Sequence, residues 1–138
     1  MKRRYILRKT IKTYFVLIGI IFLMFFAFVI YSADKGELPL FIRRMYMFPG
    51  GDKIGHFVLL FLLTFFVDYL FFPKSFLIIR KPVFIGSILV AGFISFEELT
   101  QIFISTRTFD LIDLLFSFMG IITGDLSARI FINRKVGI

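Results

Sequence analysis

Long apolar runs, broken by short charged segments, are the dominant pattern of this chain. The first run, residues 13–33, contains no charged side chain, and three further apolar stretches follow it. A helix needs about 20 apolar residues to cross the hydrocarbon core of a bilayer. The pattern therefore predicts four transmembrane helices, over about residues 13–31, 54–72, 83–104 and 109–132.

The composition supports the membrane interpretation. Hydrophobic residues make up 59% of the 138-residue chain and charged residues 19%, whereas soluble domains average about 45–50% and about 25%. Cysteine is absent and histidine occurs once, which excludes disulfide scaffolds, thiol nucleophiles and cysteine-ligated metal centres. We therefore expect one all-α membrane domain over residues 1–138, a bundle of four transmembrane helices.

The basic residues, which give the chain a net charge of +8, predict its orientation. Lys and Arg collect on the cytoplasmic side of membrane proteins, so the charge does not require a nucleic acid as partner. With both termini inside, twelve of them are cytoplasmic: Lys2, Arg3, Arg4, Arg8, Lys9, Lys12, Lys74, Arg80, Lys81, Arg129, Arg134 and Lys135. Five are outside: Lys35, Arg43, Arg44, Lys53 and Arg107. This bias favours an N-in, C-in bundle, with the first run as an uncleaved anchor.

Costly polar side chains in the later spans fall into three groups, one at each of three helix ends. The groups are Asp52, Lys53 and His56; Glu97, Glu98 and Gln101; and Arg107, Asp110 and Asp113. A charge in the bilayer costs roughly 2.5–3.5 kcal/mol on insertion scales, so each needs a partner or a purpose. Spacings of three and four residues place members of each group on one helix face. In the N-in orientation the groups converge on a polar pocket toward the extracytoplasmic side.

The charge balance of this pocket leaves several interpretations open. Five carboxylates face two cations, Lys53 and Arg107. Either some carboxylates hold protons, or His56 is cationic, or a metal ion or cationic ligand supplies the balance. A divalent cation such as Mg²⁺ or Ca²⁺ would bind through carboxylate oxygens. The alternative is an ion-paired network that fixes the register of the helices.

The order of these groups resembles the VanZ-like family of small bacterial membrane proteins. The resemblance rests on Asp52-Lys53-x-x-His56-Phe57, Glu97-Glu98-x-x-Gln101, Arg107-x-x-Asp110-x-x-Asp113 and Gly120-x-x-x-Gly124. It covers residues 52–124. Two positions depart from the family pattern: Leu60 stands where a Tyr is common, and Ser117 where an Asn is common. The resemblance implies a place in the cell envelope and a link to resistance against the glycopeptide antibiotic teicoplanin.

Two functions of different classes fit these residues. The first is an enzyme acting on a lipid or envelope precursor at the outer leaflet. Its candidate catalytic residues are His56, Glu98 and Asp113, and its candidate substrate-binding residues are Asp52, Lys53, Glu97, Gln101, Arg107 and Asp110. The second is a non-catalytic protein that binds a lipid, an antibiotic or a partner protein. Transport is a third interpretation, which the absence of an evident inverted repeat disfavours.

Individual residues also have structural interpretations. His56 either acts as an acid, base or metal ligand or pins two helices by bonding Glu97 or Asp113. Arg107 either clamps an anionic group or pairs with Asp110. Gly120 and Gly124 form a G-x-x-x-G run that we expect to pack within the monomer rather than to dimerise. We expect Asp68 and Asp125 to pair with Lys or Arg at the interface, and residues 38–49 to form a short interfacial element.

Overall fold

The computed structural model describes residues 2–71, 75–78 and 81–136, and the side chains within 13–71 and 83–132. Its elements are α1 (Lys2–Asp34), α2 (Leu40–Tyr46), α3 (Gly51–Phe71), β1 (Ser75–Ile78), β2 (Lys81–Phe84), α4 (Ile85–Thr100) and α5 (Leu111–Val136). Among these residues, four segments are long and apolar enough to cross a membrane: Thr13–Asp34, Gly51–Phe71, Ile85–Phe103 and Leu111–Ile132. This confirms the four predicted spans.

The helix ends differ from the predicted ends by a few residues. The first helix extends back to Lys2, through the segment expected to be a basic tail. The third span ends as an α-helix at Thr100 and continues as one 3-10 turn, Gln101–Phe103. Helix α5 begins at Leu111, directly after Asp110. Asp110 is its N-cap, since the side-chain Oδ1 accepts the Ile112 N–H at 2.8 Å.

A two-stranded antiparallel hairpin joins α3 to α4, and it corrects the expectation of an all-α chain. Strand β1 pairs with β2 so that Ser75 lies opposite Phe84 and Ile78 opposite Lys81. Pro82, predicted to precede the third span, lies inside β2. Phe72, Lys74 and Arg80, which the sequence analysis assigned to a span end and to a loop, lie outside the described residues.

Two glycines allow α3 and α5 to pack closely. A Cβ at Gly120 would collide with the carbonyl oxygen of Phe57, and one at Gly124 would approach the carbonyl oxygen of Phe61 to 2.6 Å. Only a residue without a side chain permits this approach of two backbones. The G-x-x-x-G run therefore packs within the monomer, as predicted.

The apolar core lies along α3, with contributions from every long helix. Leu60 and Ile94 are almost fully buried, and Phe26 of α1 and Ile121 of α5 join them in one cluster. Leu60, where the family pattern often has Tyr, is thus a core residue, 1% exposed. The remaining faces of the helices carry many exposed large apolar side chains, as expected for a surface that contacts lipid rather than water.

Candidate functional site

An open cavity of about 370 Å³ lies at the end of the bundle where α1 and α4 end and α3 and α5 begin. Its deeper wall is apolar, formed by side chains such as Phe26, Leu60 and Ile94. Its polar lining comes from four segments and consists of Arg43, Tyr46, Asp52, His56, Glu97, Gln101, Thr106, Arg107, Thr108 and Asp113. Six of the nine residues in the three polar groups line this cavity, whereas Lys53, Glu98 and Asp110 do not.

His56 lies in this lining between two side chains of α5. Its Nδ1 is 3.2 Å from the Ser117 hydroxyl oxygen, and its Nε2 is 3.8 Å from Asp113 Oδ2. Ser117, the position that departs from the family pattern, is fully buried and contacts the histidine. His56 thus links α3 to α5, and one of its nitrogens faces a carboxylate that also lines the cavity.

Arg107 and Glu97 form a second polar contact in the lining. The guanidinium lies 3.3 Å from Glu97 Oε1 and 3.4 Å from Asp34 Oδ1. Arg107 therefore joins α1 to α4, and it pairs with Asp34 rather than with Asp110, the partner that the sequence suggested. Asp34 lies 73 residues from Arg107, and sequence reasoning missed it because no local spacing connects the two.

Gln101 orients the two neighbouring glutamates of α4. Its Nε2 donates to both oxygens of Glu97 at 3.1 Å and to Glu98 Oε2 at 3.2 Å. Glu98 is 1% exposed and also accepts the backbone N–H of Asp110 at 3.2 Å. It does not line the cavity, so its position is that of a buried support for the loop before α5.

Beside the cavity, Lys53 forms ion pairs with three carboxylates. Its Nζ lies 2.9 Å from Asp52 Oδ2, 3.1 Å from Asp113 Oδ1 and 3.4 Å from Asp110 Oδ2. Of these residues, Asp52 and Asp113 line the cavity, whereas Lys53 and Asp110 do not. The lysine therefore holds the start of α3 against the start of α5, as the alternative of a register-fixing network requires.

Helix α2 supplies two lining residues that sequence reasoning did not assign to the site. Tyr46 packs over Gly55 of α3, where an added Cβ would lie 3.3 Å from its phenol oxygen. Burial raises the pKa of Tyr46 above its ordinary value, although Arg107 opposes that shift. Arg43 is exposed at the cavity mouth and, among the described residues, has no ion-pair partner. The only signal in the sequence for a role of α2 in the site was its place directly before the polar start of α3.

A second polar cluster lies at the opposite end of α3 and is closed. Asp68 is fully buried: its Oδ1 accepts the Ser87 N–H at 2.7 Å, and its Oδ2 lies 2.6 Å from the Ser87 hydroxyl. The same hydroxyl is 3.1 Å from Asp125 Oδ1, and Arg129 donates to both oxygens of Asp125 at 2.6 and 3.0 Å. Asp125 thus has the predicted basic partner, whereas Asp68 binds Ser87 and forms no ion pair with a described side chain.

The described side chains contain no group of three or more His, Cys, Asp or Glu residues arranged to hold a metal ion. The carboxylates of the cavity point instead to Lys53, Arg107 and Gln101. The divalent cation raised by the sequence therefore stays a prediction without a defined set of ligands.

Comparison with known proteins adds no relative to this picture. No family model, no curated protein and no solved structure matches the chain. The resemblance to the VanZ-like family thus rests on the motif residues themselves, and the site must be interpreted from its own geometry.

Proposed function

We propose that this chain is a VanZ-like protein of a bacterial cell membrane, with both termini in the cytoplasm, that binds a lipid or a lipid-linked envelope precursor from the outer leaflet. The observation that carries the proposal is the mixed character of the cavity. It combines an apolar wall of Phe26, Leu60 and Ile94 with a polar mouth that includes Arg107 and Glu97. Ligand sites are usually concave, mostly apolar and furnished with a few convergent polar groups, and their volumes run from about 300 to 1,000 Å³.

The distribution of the basic residues supports the proposed orientation. The cavity end carries Lys35, Arg43, Arg44, Lys53 and Arg107, fewer than the twelve Lys and Arg assigned to the other side. Because the chain lacks cysteine, single-cysteine variants report orientation cleanly. A membrane-impermeant thiol reagent applied to intact cells should label Ser105→Cys and should spare Lys81→Cys; the reverse pattern would place the cavity in the cytoplasm.

Native mass spectrometry of the gently extracted protein tests the binding function. Ala33 lines the cavity, so Ala33→Phe fills the space while leaving every charged group in place. Ala27 lies on the same helix and is exposed, which makes Ala27→Phe the matched control. We expect the unaltered chain and Ala27→Phe to retain an amphiphile that Ala33→Phe loses. Equal retention in both variants would reject the cavity as its site.

A catalytic role is a second candidate, and the position of His56 supports it. His56 and Asp113 both line the cavity, and His56 Nε2 lies 3.8 Å from the Asp113 carboxylate. A carboxylate beside histidine orients the ring and stabilises its cationic form, so the pair can act as general base and then acid. His56 with Asp113 fits this role better than His56 with Glu98, because Glu98 does not line the cavity.

Turnover separates the two candidates. If the protein is an enzyme, the amphiphile that co-purifies with His56→Asn should differ in mass from the one that co-purifies with the unaltered chain, because substrate accumulates in the variant. An identical ligand in both samples, at equal occupancy, would favour binding without catalysis. Glu98→Gln serves as the comparison, since its expected effect is on folded yield.

A further inference from the structure

A second, apolar groove lies beside the polar cavity. Its volume is about 520 Å³, and it is bounded by α1, α2 and α3. Its lining is apolar apart from the Tyr46 hydroxyl, and it includes Phe25, Phe41, Met45, Phe48 and Ile54. Val29, Tyr46 and Leu59 line both the groove and the cavity. The two spaces are therefore neighbours that share a wall.

Helix α2 lies along the boundary of the two spaces. Arg43 lines only the cavity, Phe41, Ile42 and Met45 line only the groove, and Tyr46 lines both. Phe41 and Met45, four residues apart, lie on one side of the helix. Gly36 and Gly50, both with positive φ, lie in the segments before and after α2. The chain thus turns sharply on either side of a helix whose polar face meets the cavity.

We infer that one phospholipid occupies both spaces, with its phosphate bound by Arg43 at the cavity mouth and one acyl chain in the apolar groove. The inference rests on the proposed function and names its ligand class. Three observations support a phospholipid as the occupant. The groove continues from the cavity through shared residues, the groove lining is apolar, and Arg43 is the lining cation with no carboxylate partner among the described residues.

The guanidinium of Arg43 is the reason to expect a phosphate in the headgroup. Arg107 also lines the cavity, but Asp34 and Glu97 already neutralise it. Arg43 has donors left over, and the planar guanidinium fork matches the geometry of a phosphate group.

Tryptophan fluorescence quenching in detergent micelles tests the groove, because the chain contains no tryptophan. Phe48→Trp places a reporter in the groove, and Phe96→Trp places one on α4, where Phe96 is also highly exposed and lies outside the groove. The probe is a phospholipid brominated on its acyl chains, compared with a brominated fatty alcohol that lacks phosphate.

We expect the brominated phospholipid to quench Phe48→Trp with a saturable curve and to quench Phe96→Trp only weakly. Arg43→Ala in the Phe48→Trp background should raise the half-quenching concentration about tenfold, the loss expected from one charge-assisted hydrogen bond. Arg44→Ala is the control, since the neighbouring arginine does not line the cavity. Equal quenching at both reporters, equal effects of the two arginine variants, or equal potency of the fatty alcohol would each overturn the inference.

The outcomes also separate this inference from the proposed function. If Ala33→Phe abolishes the amphiphile while Phe48→Trp is not preferentially quenched, the headgroup binds in the cavity without a chain in the groove, and only the inference fails. If Ala33→Phe leaves the amphiphile in place, the proposed function fails and the inference fails with it.

Discussion

The two ends of the bundle each hold a cluster of carboxylates, and they differ in what surrounds them. At one end, Ser87 lies between Asp68 and Asp125, and Arg129 closes the network. At the other, Glu97 and Asp113 have protein partners but also line an open cavity of about 370 Å³. A buried polar group is costly unless its hydrogen bonds are made. The closed cluster meets that requirement within the protein, whereas the open one leaves room for a ligand.

This comparison assigns different roles to similar residues. The closed cluster joins α3, the start of α4 and α5, and Gly86 permits the approach because a Cβ there would collide with the Asp68 carboxylate. Its polar atoms are directed at one another, which is the arrangement of a structural network. The open cluster joins the same helices at their other ends, but through residues that a bound molecule can reach.

The largest effect is expected at the closed cluster. Asp125→Ala leaves the Arg129 guanidinium, whose side chain is 22% exposed, without its carboxylate, whereas the Ser87 hydroxyl keeps Asp68 as a partner. Asp125 accepts two charge-assisted hydrogen bonds from Arg129, at 2.6 and 3.0 Å, and hydrogen bonds to charged groups are worth about 1.5–3 kcal/mol. We expect a loss of that order in the free energy of unfolding, measured by SDS titration in detergent micelles. The folded fraction should still bind the amphiphile. A variant that folds normally but lacks the ligand would contradict the structural role of the closed cluster.

The second-largest loss of stability is expected at the contact between α3 and α5, the two helices that carry residues of both clusters. Gly120→Ala introduces a Cβ that would collide with the Phe57 carbonyl oxygen of α3. Overpacking of this kind costs about 1–3 kcal/mol, and we expect the same titration to show it. Gly92→Ala is the control, since a Cβ at Gly92 meets no atom within 4 Å. A destabilised Gly92→Ala, with Gly120→Ala unaffected, would contradict the packing described here.

A smaller effect on stability, with a larger one on ligand, is expected at the open cluster. Arg107→Ala removes contacts of 3.3 and 3.4 Å to Glu97 and Asp34. Because these contacts are longer than those between Arg129 and Asp125, we expect a loss of about 1–2 kcal/mol in the free energy of unfolding. Native mass spectrometry of the folded fraction should show lower occupancy by the amphiphile. Full occupancy, together with a loss of stability as large as that of Asp125→Ala, would make Arg107 structural.

The smallest effect is expected at Ser117. Ser117→Ala removes the hydroxyl that lies 3.2 Å from His56 Nδ1, and a single neutral hydrogen bond is worth about 1 kcal/mol. Ser127→Ala, on the same helix, is the control. Thermal unfolding in detergent should distinguish the two variants slightly. If the protein is an enzyme, Ser117→Ala should also lower the catalytic rate of the folded fraction, because the His56 ring loses one of its two partners.

The four spans and the open cluster could be predicted from the sequence because their signals are local. Apolar runs of about 20 residues define the helices, and the i, i+4 spacing of Glu97 and Gln101 anticipates the observed contact of 3.1 Å.

The other features depend on contacts between distant parts of the chain. Asp68, Ser87 and Asp125 are separated by 19 and 38 residues, so no spacing rule brings them together. The cost of a carboxylate in an apolar span indicated that Asp68 needs a partner, but not which one. The hairpin of β1 and β2 has strands of four residues each, too short for a periodic pattern to separate them from a loop.

We propose that the open cluster, and not the closed one, receives an amphiphile. Cross-linking with a phospholipid that carries a photoreactive headgroup, in proteoliposomes, tests it most directly. Mass spectrometry of the digested protein should place the adducts on peptides around His56 and Arg107, and these adducts should persist in Ala27→Phe and disappear in Ala33→Phe. Adducts around Asp68 and Asp125, or an adduct pattern that Ala33→Phe does not change, would contradict the claim.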